Sequence, residues 1–91
     1  MSNVAPPRGL QPDHRWALYR HYDAKGTLLY VGAAIDPVRR LKQHHGRSRW
    51  YPHIARIDVE WHSNKKDAKA AEQAAILAEN PEFNITGRQL A

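Results

Sequence analysis

Glu72 stands on a stretch where Ala68, Ala75 and Ile76 lie three or four residues away, which sets a carboxylate into an apolar helical stripe. A carboxylate there needs a hard metal ion or an arginine as partner, unless it sits at the rim with its stem over alanine surface. Tyr19 and Tyr30 lie eleven residues apart, each at the end of an apolar run. Phenols so placed fill a core or line a cleft. Arg40 and His44 are one helical turn apart, a spacing that puts a phosphate-binding guanidinium beside a proton carrier or simply makes a solvated face. Around them, 39–49 holds Arg39, Arg40, Lys42, Arg47 and Arg49 with His44 and His45 and no acid. The acids gather later, at Asp58, Glu60, Asp67, Glu72, Glu79 and Glu82. A net charge of +5 with this asymmetry favours a polyanion, and nucleic acid is the commonest. Six histidines show no HExxH spacing, and with no cysteine a zinc site is not expected.

Short elements position these groups. With 91 residues the chain is one small domain with a thin core and no disulfide to support it. Positions 1–14 carry Pro6, Pro7, Pro12 and Gly9 without periodicity and read as a flexible arm, leaving 15–91 as the folded domain. Trp16–Tyr22 is aromatic-rich and reads as a strand. A turn over 23–26 follows, with Gly26 placed for positive φ, and 27–32 completes an antiparallel hairpin. Asp36-Pro37 starts a helix, in which Val38, Leu41 and His45 share one face, and Gly46 ends it. The stretch 54–62 reads as a third strand. Ser63 or Asn64 caps a last helix over 66–79, and Asn80-Pro81 stops it. The fold class is α/β: a β-β-α-β-α sandwich with a small three-stranded, largely antiparallel sheet flanked by helices.

Taken together, the chemical groups fall in a telling order. Ala17-Leu18-Tyr19, Tyr30-Val31-Gly32, Arg40, His44, Glu72 and Asn84 follow one another across β-β-α-β-α. This resembles the GIY-YIG endonuclease family over positions 16–85, with Ala17 where the first motif has Gly. Some members carry a Lys beside the second motif, where this chain has Leu29 and Ala33. The resemblance implies that Tyr19 and Tyr30 share one cleft on neighbouring strands, and that Arg40 contacts the scissile phosphate. It implies that His44 orients the nucleophile or relays a proton, that Glu72 holds a single Mg²⁺ or Mn²⁺, and that Asn84 supports the site by hydrogen bonding. Tyr19 is the first choice of base. A phenol titrates near ~10, so it needs Arg40 and the metal to lower that value.

The expected activity is a divalent-metal-dependent endonuclease that hydrolyses phosphodiester bonds in DNA. Arg39, Lys42, Arg47 and Arg49, with Arg8 in the arm, are the expected nucleic-acid-binding cations. They suit phosphates, which carry no sequence information, so little intrinsic sequence specificity is expected. Two readings fit Trp50-Tyr51: a stacking platform for an unpaired base, or a lid over a thin core. A module of the same fold that binds nucleic acid without turnover is the alternative function, and a basic face for an acidic protein is a third. No run of 18 apolar residues and no secretory signal are present, so a cytoplasmic location without membrane contact is expected.

Overall fold

The computed structural model describes residues 15–84, and the expected order of elements is found there. β1 (Trp16–Tyr22), β2 (Leu28–Ala34) and β3 (Arg56–His62) form one antiparallel sheet in the order β2-β1-β3. The first strand is therefore the central one. Tyr19 stands opposite Gly32 on one side and Val59 on the other. The arm expected over 1–14, with Arg8, lies outside the described residues, as do 85–91.

The hairpin turn is built by Asp23, whose Oδ1 accepts from the N–H groups of Lys25 and Thr27 at 2.9 Å. Gly26 takes φ +88, as its place in the turn requires. β2 then runs two residues past the expected end, because Ala33 and Ala34 pair with Leu18 and Ala17. β3 begins two residues later than expected. Ile54 closes a single 3-10 turn at Tyr51–His53, and only from Arg56 does the strand pair with Tyr22.

Alternation along β1 sends Leu18 and Arg20 to one face and Ala17, Tyr19 and His21 to the other. α2 (Lys65–Glu79) covers the first face. Its Ala75 and Ile76 pack on Leu18 and Val31, with Leu28 and Ala71 at the margin. Arg20 ties the end of this helix to the sheet through both Glu79 oxygens, at 2.8 and 2.6 Å. Asn64 caps α2 by accepting from Asp67 N–H at 2.8 Å, and left-handed Asn80 ends it. α1 (Pro37–His44) lies over the second face, started by Asp36, whose Oδ1 accepts from Arg39 N–H at 3.0 Å. Val38 is exposed and so is His45, while His44 turns inward. A helix of eight residues presents whichever side the sheet can bury, and the surface beneath is a ring of aromatic groups that an imidazole fits.

The outer edge of β2 is closed by the chain that follows α2. Glu82 and Phe83 donate their N–H groups to the carbonyls of Leu28 and Leu29, at 3.1 and 2.8 Å. Buried Asn84 completes this by pairing with Val31, accepting its N–H at 2.8 Å and donating to its carbonyl at 2.9 Å. That clamp holds the backbone between Tyr30 and Gly32. Asn84→Ala leaves a buried N–H and a buried carbonyl without partners, which costs about 2–4 kcal/mol. In urea titrations the midpoint is expected to fall with the slope unchanged.

Candidate active site

The face under α1 is lined with rings. Tyr19 and Tyr30 have centroids 6.2 Å apart, and His44 lies 6.4 Å from the first and 5.2 Å from the second. Trp50 stacks on Tyr30 at 4.5 Å with planes 19° apart, and Phe83 stacks on Trp50 in turn. His21, a residue sequence reasoning missed, completes the cluster at 5.0 Å from Tyr19 and 5.6 Å from His44. Its only signal was the alternation Ala17, Tyr19, His21 along a strand. Of the two readings of Trp50, the structure selects the lid, since its indole is spent inside the cluster.

Tyr19 occupies its place because residue 32 is glycine. A Cβ at position 32 would overlap Cζ and Oη of Tyr19, so the phenol lies flat across β2 only over a bare Cα. Its hydroxyl reaches Nε2 of His44 at 3.4 Å, a long contact, and Nδ1 of His44 meets Ser48 Oγ at 2.6 Å. Asn84 acts on the backbone of Val31, the residue between Tyr30 and Gly32, as described. Ala17, in place of glycine, is buried and stands opposite Ala34 and Trp61 in the sheet.

Charge enters from both helices. The Arg40 guanidinium donates to Gln43 Oε1 at 3.1 Å and lies close enough to act on both phenols and on His44. Glu72 acts on the same phenols from α2, with its side chain only 13% exposed and one oxygen 3.2 Å from Lys69 Nζ. Burial pushes the Tyr19 phenol well above its ordinary value, and the neighbouring Tyr30 adds to this; Arg40 pulls the other way and loses. Tyr30 is raised too, again by burial first. Both phenols hold their protons at rest. The two buried histidines are pushed the opposite way. Burial lowers His44, with Arg40 adding to it, and takes His21 down to about 4.

The tautomer of His21 follows from geometry. Trp50 Nε1–H can only donate, and it donates to His21 Nδ1 at 3.1 Å. The proton of His21 is therefore on Nε2, and the ring is neutral.

Arg39, Lys42, Arg47 and Arg49 are all exposed and form a cationic border along and after α1; Arg49 also lies over the Phe83 ring at 5.6 Å. Among the described residues no three His, Asp or Glu side chains come together as a metal cage. The donor set near the tyrosines is the one carboxylate of Glu72, a hard oxygen ligand. That suits a cation such as Mg²⁺, which keeps most of its waters, and does not suit zinc.

A three-stranded antiparallel sheet with paired tyrosines, a helix arginine and a glutamate from the far helix defines a GIY-YIG type of catalytic domain. The match is direct: the family model for the GIY-YIG catalytic domain covers residues 15–85, and the chain belongs to that family. It is also similar to the UvrABC system protein C of Shewanella loihica, 35% identical over 75 residues, and to that of Pseudomonas savastanoi pv. phaseolicola, 33% identical over 78 residues. These stretches cover 75% and 78% of this chain but only 12% and 13% of the relatives, so the chain spans about an eighth of their length.

Two outcomes are expected from this geometry. Gly32→Ala displaces Tyr19 and should lower any cleavage rate at least roughly tenfold while Tyr30 stays in place; loss of the Tyr19–His44 contact is readable by NMR. His21 is lowered in the folded state, so its contribution to stability is complete above about pH 6.5 and is lost as pH falls toward about 4. That loss amounts to roughly 2–3 kcal/mol. His21→Asn, which still accepts from Trp50, should flatten this part of the acid dependence of Tm.

Proposed function

We propose that this chain hydrolyses phosphodiester bonds in DNA, as a metal-dependent endonuclease working in the cytoplasm. The observation that carries the reading is the packed pair of tyrosines, both under the influence of a guanidinium from one helix and a carboxylate from the other. Arg40 binds the scissile phosphate and stabilises the charge that builds on it during attack. Tyr19 is the base, and because burial keeps its proton on, it works only with an acceptor beside it; His44 Nε2 is the nearest one. Tyr30 borders the same cleft and shares the influence of Arg40. Glu72 would hold Mg²⁺ or Mn²⁺, which supplies positive charge to the phosphate when bound.

Arg39, Lys42, Arg47 and Arg49 hold the strand by its phosphates, which makes binding salt-sensitive and tolerant of sequence. No described helix is long and apolar enough to cross a membrane.

Cleavage of labelled single-stranded, duplex and branched DNA, with and without Mg²⁺, tests the proposal. Arg40→Ala should cut the rate on the order of 10²-fold or more without unfolding the protein. Glu72→Gln replaces a charged ligand by a neutral amide and should weaken both the rate and the response to metal. Wild-type binding without cleavage under any metal condition would establish the alternative, a binding module of this fold without turnover.

A further inference from the structure

Resting on this reading of the site, we infer that Ser48 is a positioning residue that holds His44 in one tautomer, with the proton on Nδ1 and the Nε2 lone pair facing the Tyr19 hydroxyl. Ser48 is not part of the six-position pattern that places the chain in its family. The chain brings it to His44 by a local device. After α1 ends, the backbone turns through Gly46 at φ +78, and the N–H groups of Arg47 and Ser48 both return to the His44 carbonyl, at 3.0 and 2.9 Å. Ser48 Oγ is thereby set 2.6 Å from Nδ1 of the same residue.

A neutral imidazole has one N–H and one lone pair, and His44 has a hydroxyl on each side. Two arrangements are conceivable. In one, Nδ1–H donates to Ser48 and Tyr19 donates to Nε2. In the other, Ser48 donates to Nδ1 and Nε2–H donates to Tyr19. The surroundings of Tyr19 select the first. Its oxygen lies under the influence of Arg40, a group that can only donate, while burial keeps the phenolic proton on. That proton needs an acceptor, and Nε2 is the ring nitrogen in reach. The remaining ring neighbours of His44 offer Nδ1 nothing: Trp50 spends its N–H on His21, and Tyr30 and His21 meet His44 only edge to face.

The consequence is chemical. When Tyr19 acts as base, its O–H bond breaks and an N–H bond forms at His44 Nε2, giving a phenolate and an imidazolium whose Nδ1–H still rests on Ser48. The phenolate then takes a proton from the attacking water as the water oxygen bonds to phosphorus and the phosphorus–oxygen bond to the leaving strand breaks; the leaving oxygen takes a proton from solvent, and the imidazolium releases its own to solvent. With the opposite tautomer, Nε2 carries a hydrogen and the Tyr19 proton has no place to go.

The tautomer is readable without any nuclease assay. In ¹⁵N-labelled wild-type protein at neutral pH, long-range proton–nitrogen correlations of His44 should show Nδ1 protonated and Nε2 bare. His21 should show the reverse, an internal contrast fixed by Trp50. Ser48→Ala should convert His44 to the Nε2–H form or to a mixture, and Ser48→Thr, which keeps the hydroxyl, should restore the wild-type pattern. Cleavage in Ser48→Ala should fall roughly tenfold or more, with DNA binding unchanged and recovery in Ser48→Thr. An Nε2–H tautomer in the wild type, a pattern indifferent to Ser48→Ala, or full cleavage by Ser48→Ala would each overturn the inference. Should the wild type cut no DNA at all, the activity assignment fails, and the nitrogen shifts still decide the role of Ser48.

Discussion

The site depends on one steric allowance, the missing side chain at Gly32. Because nothing projects from that position, the Tyr19 ring crosses the neighbouring strand and its hydroxyl arrives beside His44 rather than in the core. Tyr30 sits next to it, Trp50 stacks on Tyr30, and Phe83 stacks on Trp50. Each ring packs against the one before it. Asn84 guards the starting point of this series, since its two hydrogen bonds to Val31 fix the strand segment on which Tyr30 and Gly32 lie.

The two faces of the sheet divide the labour. Against α2 the contacts are aliphatic, with Leu18, Val31, Ala75 and Ile76 forming the small core expected of a chain this size. Against α1 they are aromatic and imidazole rings, which bury surface and bring titratable groups together. Enclosure there has a price in electrostatics: burial raises the two phenols and lowers the two histidines, so every titratable group in the cluster is neutral at rest. The charges that disturb this balance come from the rim, Arg40 from α1 and Glu72 from α2. A neutral, largely enclosed set of proton donors and acceptors thus lies under the influence of a cation from one helix and an anion from the other.

Much of the architecture was legible because it is set locally. Asp36-Pro37 and Asn64 start helices by capping their own first turns, and the Asp23 turn closes the hairpin within five residues. These interactions need no distant partner, so residue type and spacing suffice to read them. The extents of β2 and β3 were less legible, since a strand ends where its partner stops pairing. Which side of α1 is buried was not legible for a related reason. Val38 is exposed, and the aromatic surface below accepts His44.

The order of Tyr19, Tyr30, Arg40, His44, Glu72 and Asn84 pointed by itself to the family that the chain belongs to, while turn, capping and strand signals gave the layout of strands and helices. Their working state was decided by the tertiary structure alone. Tyr19 and His44 meet across 25 positions, Trp50 and His21 across 29, and Asn84 and Val31 across 53. That both phenols are pushed to hold their protons, that His21 carries its own on Nε2, and that Trp50 closes the cluster all follow from burial and from contacts between distant segments. Desolvation and hydrogen-bond direction are properties of a position in space, and a linear order of residues does not contain them.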